Sequence, residues 1–438
     1  MEVQTLMRTL PEMKLHFTTL LGLVGFALIT QAADTLSLRD GFTQTAGGRG
    51  GKIIRVTTLD AKGVGSLGEA LATKGPRVIV FEIAGVIDLA GHDLRLNEPF
   101  ATVAGQTAPS PGITIIRGGV TISAHDVVFQ HLRVRPGEAG RAKNSGWEVD
   151  GIGLAGASDV IVDHCSCEWS TDENLSASGP RFAGNSPDDW RQGTSHRVTF
   201  SNCLIAEGLS HSTHGKAEHS KGSLIHDNAS DIALLGNLYA NNVERNALFK
   251  GGTRGVMANN FISNPGKRAI HFALIHSEWG EHDWQTGKLA VVGNLMQAGA
   301  DTSAALPLFT HSRGPLELFL ADNQCFDAAG KPLPIRNSAA ASGTNECVML
   351  PAASVWPAHL KPLSVEKVRE AVLQNAGARP WDRDATDQRI ISQARNGTGR
   401  VINSERDVEG YPNVKPVRAA FVAAEWNMET MERRTSAK

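Results

Sequence analysis

DVIVDHC (159–165), VTFSNCL (198–204) and VMANNFI (256–262) share one design: β-branched or apolar residues, a small or polar residue, a His or Asn, then another apolar residue. The design returns as DVVFQHL (126–132), ALLGNLY (233–239) and AVVGNLM (290–296). Aligned on the fifth or sixth position, the polar residues are His131, His164, Asn202, Asn237, Asn260 and Asn294, spaced 33, 38, 35, 23 and 34 residues apart. A strand-like unit recurring at that interval predicts a solenoid. One coil cannot bury its apolar face alone, so equivalent positions stack on the next coil. Asn tolerates left-handed backbone at a turn and can bond the same residue above and below, which predicts a ladder. The unequal spacings mean that loops of different length leave the corners, where function concentrates. A sandwich of antiparallel strands would need tight Asn-Gly turns, which are scarce here.

Working outward, short strands run from about Ile53 to Phe326. Beyond residue 350 the pattern changes: VEKVREAVLQNAGA, within 364–378, has helical periodicity, and 380–400 is charged and polar. This predicts a coil domain over 34–350 and a C-terminal extension of helix and loop over 351–438, packed along it, with disorder after Trp426. At the other end, Arg8 and Lys14 precede an apolar run from Leu20 to Ile29, followed by Ala32 and Ala33. That is the layout of a signal peptide, 1–33, and predicts a secreted or periplasmic protein.

The 438 residues are 41% hydrophobic and 20% charged, a globular composition. A net charge of −2 argues against a nucleic-acid partner, while a local basic row remains compatible with a polyanion. No membrane partner is expected, and the chain reads as a monomer. Five cysteines in a chain this long make no disulfide scaffold. Cys165, Cys167 and Cys203 read as stacked buried thiols, and Cys325 and Cys347 as a possible pair after export.

Five stretches taken in order resemble the pectate lyase family (polysaccharide lyase family 1). They are GRGGKIIRVTTLDAKGVGSLGEAL (48–71), RVIVFEIAGVIDL (77–89), GQTAPSPG (105–112), VDHCSCEWSTDENLS (162–176) and NAGARPWDRDATDQRIISQARNGTGR (375–400). The resemblance covers most of the chain beyond the leader. It implies an all-β fold, a right-handed parallel β-helix with a helical C-terminal extension, and calcium-dependent β-elimination of a uronic-acid polymer, polygalacturonate first.

Asp150 opens DGIGL, and Asp172 with Glu173 follows the next strand, so one coil separates them and their carboxylates can converge. Calcium takes several oxygen ligands in irregular geometry. The resemblance implies Asp150 and Asp172 as ligands, with Glu173 or Glu168 as the third. It also maps Lys221, in EHSKGSLI, and Arg245 and Lys250, in ERNALFKGG, onto the family's basic residues, although the family's Arg-x-Pro has Ala247 in place of its Pro. On this mapping Arg245 is the base at C5, or an electrostatic stabiliser with Lys221 or hydroxide taking the proton. Lys221 and Lys250 clamp the sugar carboxylate.

Histidines 211, 214, 219 and 226 lack a tight pair suited to zinc, so His214 and His219 read as lining the sugar groove. Trp147 and Trp169 are candidate sugar platforms. Asp163 and His164 are consecutive strand residues, which predicts opposite faces and no shared site. A polygalacturonase-type hydrolase would need paired carboxylates, a Gly-His-Gly and a downstream Arg-x-Lys; Thr213-His214-Gly215 matches only in part. A non-catalytic polysaccharide-binding β-helix would have no reason to keep Lys221 and Arg245 beside the acids. An enzyme for methyl-esterified pectin would carry basic residues in place of those acids.

Overall fold

The repeated heptapeptides become a stack. The computed structural model describes residues 36–337 and 346–434, so the leader-like residues 1–33 lie outside the described residues. Among the described residues three sheets of eleven, eight and ten strands form, parallel except for the edge strand Val417–Arg418. One coil shows the plan. His125–Gln130 lies in the eleven-stranded sheet, Arg133–Arg135 in the ten-stranded sheet and Ile152–Ala155 in the eight-stranded sheet, and Ser158–Asp163 returns beside the first strand. The result is a right-handed parallel β-helix, the hand that parallel crossovers take.

Inside, like stacks on like. Ile79, Val103, Phe129, Val162, Phe200, Leu234, Met257 and Val291 occupy one register column through eight successive strands. All are fully buried. Each such side chain stabilises by about 1.5–3 kcal/mol relative to exposure, and it reaches that value only when both neighbouring coils are present.

The corner between the eleven- and ten-stranded sheets separates two roles that the sequence alignment merged. His131, His164, Asn202, Gly236, Asn259, Gly293 and Asp322 all have φ between 48° and 65° and form a left-handed column. The ladder lies one residue later. Asn237 Nδ2 donates to Asn260 Oδ1 at 2.9 Å, Asn260 to Asn294 at 2.9 Å and Asn294 to Asn323 at 3.1 Å. His131, His164 and Asn202 are therefore turn residues rather than rungs, because the turn needs the unusual φ at one position and an inward amide at the next. Asn260→Ala is expected to cost about 3 kcal/mol, since in a dry interior it takes the acceptor from the Asn237 backbone N–H and from one side-chain N–H of Asn237, and leaves the Asn294 carbonyl only the residue-260 backbone N–H. The midpoint of urea unfolding checks it.

The extension contains two helices, Val365–Asn375 and Ala385–Asn396. Val368, Val372, Ile390 and Ala394 cover Leu204, Leu238 and Phe261 on the outer face of the ten-stranded sheet. The second helix lies within the charged and polar stretch 380–400, and its charges point partly inward, onto buried arginines. The disorder expected after Trp426 is corrected for residues 427–434, while 435–438 lie outside the described residues. Met431 is buried with Val78, Val80 and Phe421, and its carbonyl accepts from Gln106 at 3.3 Å. Cys165, Cys167 and Cys203 are buried free thiols. Cys325 and Cys347 are also free: Cys325 Sγ faces Met296 Sδ at 3.7 Å, while Cys347 lies on a strand of a different sheet.

Candidate active site

Long loops leave the corner between the ten- and eight-stranded sheets, and the charged residues gather where those loops enter the eight-stranded sheet. Asp150 precedes strand Ile152–Ala155, Asp172 precedes Glu173–Ser178, Lys221 opens Lys221–Ile225, and Arg245 precedes Leu248–Lys250. Glu173 pairs in register with Lys221, and Lys221 with Glu244, so parallel stacking alone brings residues distant in sequence together.

Asp150, Asp172 and Glu173 place carboxylate oxygens within 4.8 Å of one another. The Glu173 backbone N–H donates to Asp150 Oδ1 at 3.0 Å, and Ser176 Oγ donates to Oδ2 at 2.5 Å. Burial, and then the Asp172 charge, push the Asp150 carboxyl up to about 7. Burial also works against charge on Asp172. There the hydrogen bond from His219, with the charges of His219, Arg245 and His214, outweighs it and holds the carboxyl below its ordinary range. Three hard oxygen donors this close together, with more negative charge than the nearby side chains neutralise, fit a calcium ion.

Glu168 does not join them. It lies on strand Ser166–Glu168 of the ten-stranded sheet, fully buried, and accepts from Arg135 Nε at 2.9 Å. Its four-residue spacing from Asp172 crosses the coil corner, so the two point to different environments.

The cations each meet an acid. The Arg245 guanidinium contacts the Glu173 carboxylate, and Lys221 Nζ lies 3.1 Å from Glu244 Oε2. Burial loosens the hold of Arg245 on its proton, against the opposing charges of Asp172, Asp150 and Glu278. Lys250 is paired as well. It is buried, with its ammonium facing Asp227, at 3.2 Å, and Glu278.

Beneath these residues runs a second amide chain that sequence reading missed. Asn174 Nδ2 donates to Asn242 Oδ1 and Asn242 Nδ2 to Asn246 Oδ1, each at 3.1 Å. It anchors the turn carrying Arg245, whose own φ is 62°, a strained value for a side chain of this size. The NLYANN spacing, with an Asn five residues after the ladder Asn, is the only trace of it in sequence.

His219 Nε2 lies 2.6 Å from Asp172 Oδ1, and His214 stacks on His219 with centroids 3.6 Å apart. The loop gathers a pair that spacing did not suggest. The Lys216 backbone N–H donates to His214 Nδ1 at 3.0 Å, so the neutral ring carries its proton on Nε2, a buried donor without a partner. That tautomer offers a hydrogen bond rather than a metal ligand. His211 and His226 turn elsewhere, to Asn403 and Arg181. Trp169 is fully buried and donates to Glu207 at 2.9 Å, which removes it as a sugar platform. Trp147 remains half-buried, under Arg141 at 5.0 Å.

No protein-family model matches the sequence. A probable pectate lyase C of Emericella nidulans is 30% identical over 398 residues, covering 90% of this chain and 83% of that protein. Its counterpart in Neosartorya fischeri is 30% identical over 404 residues, covering 91% and 86%. The chain belongs to the pectate lyase family. Solved pectate lyases share its architecture at much lower identity. A mutant of the Bacillus subtilis pectate lyase superposes with a TM-score of 0.53 at 13% identity, covering 79% of this chain and 98% of that one. A pectate lyase bound to a hexasaccharide gives 0.51 at 12% identity, covering 80% and 98%. As a pectate lyase family member the chain is an enzyme of the polysaccharide lyase class.

Proposed function

We propose that this pectate lyase family member acts after export, cleaving a uronic-acid polymer, polygalacturonate first, by calcium-dependent β-elimination. The observation that carries the reading is the placing of Arg245 and Lys221 against Asp150, Asp172 and Glu173 on successive coils. Those three acids would hold the calcium ion, which when bound withdraws electron density from the substrate carboxylate and stabilises charge built up beside it.

The protein side chains do the rest. Lys221 neutralises the C6 carboxylate and orients the ring. Arg245, poorly solvated, first loses its proton to solvent and in its neutral form accepts the proton from C5; the released electron pair forms the C4–C5 double bond as the C4–O bond breaks, and the departing oxygen takes a proton from water. His214 Nε2 donates to a sugar oxygen, which gives that buried N–H the acceptor it lacks.

Digestion of polygalacturonate is expected to raise ultraviolet absorbance from the new double bond. A chelator should stop the rise, and added calcium should restore it. Absorbance that continues in chelator removes the metal from the mechanism, and new reducing ends without absorbance point to hydrolysis instead.

A further inference from the structure

A different corner of the coil, where the eleven- and ten-stranded sheets meet, borders a cavity of about 1160 Å³. Its walls come from the turn residues His131 and His164, the GQTAPSPG segment, and the extension around Trp381 and Phe421. None of these residues takes part in the acid–cation cluster.

Trp381 dominates it. Of the eight tryptophans it alone is exposed, at 62%. It is nevertheless held in place. Arg379 lies against the ring at 5.5 Å, and His131 packs on it with centroids 5.0 Å apart. Arg379 is itself fixed by the Gln106 and Ala108 carbonyls, at 3.1 and 2.9 Å, and by Asp382 at 2.7 Å. The result is a rigid aromatic plate with one open side, a pre-organised surface for a flat apolar ligand face.

Two polar groups near the plate are acceptors. Gln106 is buried with its Oε1 unpartnered, and it lines the cavity. His164 Nδ1 donates to Asp163 Oδ2 at 2.7 Å, so in the neutral ring Nε2 is the accepting nitrogen. Asp163 and His164 thus do meet, contrary to strand alternation, because the left-handed turn at His164 ends the pleat. His131, Asp163 and His164 also bring ligand atoms within 4.8 Å. A metal ion has no place there: both Asp163 oxygens are filled by four donors, Ser201, Asn202, Gln130 and His164.

Charge narrows the ligand. Asp163, Asp382, Glu425 and Glu432 line the cavity against Arg379 and Arg433. Both arginines are already paired, with Asp382 and Glu425. An anionic sugar would meet uncompensated carboxylates, whereas a neutral one brings hydroxyl donors to the accepting groups and a C–H face to the indole.

We propose that this cavity is a second glycan site, separate from the acid–cation cluster, which binds a neutral oligosaccharide by stacking on Trp381 with hydroxyls donating to Gln106 and His164. The test is isothermal titration of the full chain, in the Arg245→Ala background to prevent cleavage, with 1,4-linked galactotetraose and with arabinotetraose, and with trigalacturonate as the charged control. At least one neutral oligomer is expected to bind. Trp381→Ala should weaken that binding about tenfold, the loss of roughly one aromatic contact, while Trp381→Phe keeps most of it. With Arg245 intact, Trp381→Ala should cleave polygalacturonate as the unaltered chain does. Failure of both neutral oligomers to bind, affinity unchanged in Trp381→Ala, or trigalacturonate competing with the neutral ligand would each overturn the proposal.

Discussion

Arg245→Ala is expected to lower kcat on polygalacturonate by about a thousand-fold, the scale of a positioned general base, with the fold intact. The side chain is partly accessible and lies at the end of a turn whose backbone is held by Asn242 and Asn246, so removing it empties no core position. Its loss also deletes a positive charge beside Asp150, Asp172 and Glu173. Calcium should therefore bind as tightly as before or more tightly while turnover collapses. That split separates a catalytic role from a defect in the metal site, and titration calorimetry beside the absorbance assay reads both. Arg245→Lys keeps the charge and should recover little rate, because ammonium and guanidinium differ in shape and reach. Turnover within an order of magnitude of the unaltered chain in Arg245→Ala would leave the proton to another group.

The second large effect concerns stability. Arg135 is fully buried and donates to Glu168 at 2.9 Å, to Asp384 at 2.7 Å and to Asp387 at 2.7 Å. Arg133 reaches Asp387 at 3.1 Å. Two guanidiniums thus face three carboxylates, and burial pushes Glu168 well above the usual carboxylate range, so the cluster is neutral when Glu168 carries a proton. Asp384 lies well below that range: Arg135 and Arg133 outweigh the burial that opposes its charge. The cluster fastens helix Ala385–Asn396 to the ten-stranded sheet. Arg135→Ala leaves buried acids without their main partner and should cost about 3–5 kcal/mol.

The pH dependence has a definite sign. In that variant the folded state holds its carboxyls above their unfolded values of roughly 4, so it binds more protons than the unfolded chain. The deficit is then largest near neutral pH and shrinks as pH falls through the raised values. Urea midpoints compared at about pH 7.5 and pH 5 check this. An equal deficit at both would assign the loss to packing.

Much of the fold was legible because a solenoid repeats its requirements. The apolar alternation in DVIVDHC and VTFSNCL specifies one buried face per strand, and recurrence specifies the stack. The same repetition misled at one point. His164 and Asn237 look equivalent in aligned heptapeptides, yet one is a turn residue and the other a ladder rung, a difference of one position that only the register reveals. In the extension, the charged and polar stretch 380–400 does not show which of its residues are buried. Its charges become compatible with burial once Arg133 and Arg135 stand opposite, and nothing local announces those partners.

Asp150 and Asp172 could be named from residue type and a separation of one coil, whereas Lys221 and Arg245 came from the resemblance to the family's basic residues; all four sit where a loop rejoins a strand, and parallel stacking brings such positions close. Tertiary structure decided which of the charged residues face one another. Glu168 went to a buried arginine on another sheet, and Lys250 to Asp227 and Glu278. His214 came to lie on His219, and Trp381 was left facing a cavity. The reason is physical: backbone periodicity is written locally, residue by residue, whereas the partner of a charge or a ring depends on which distant segment the completed coil sets beside it.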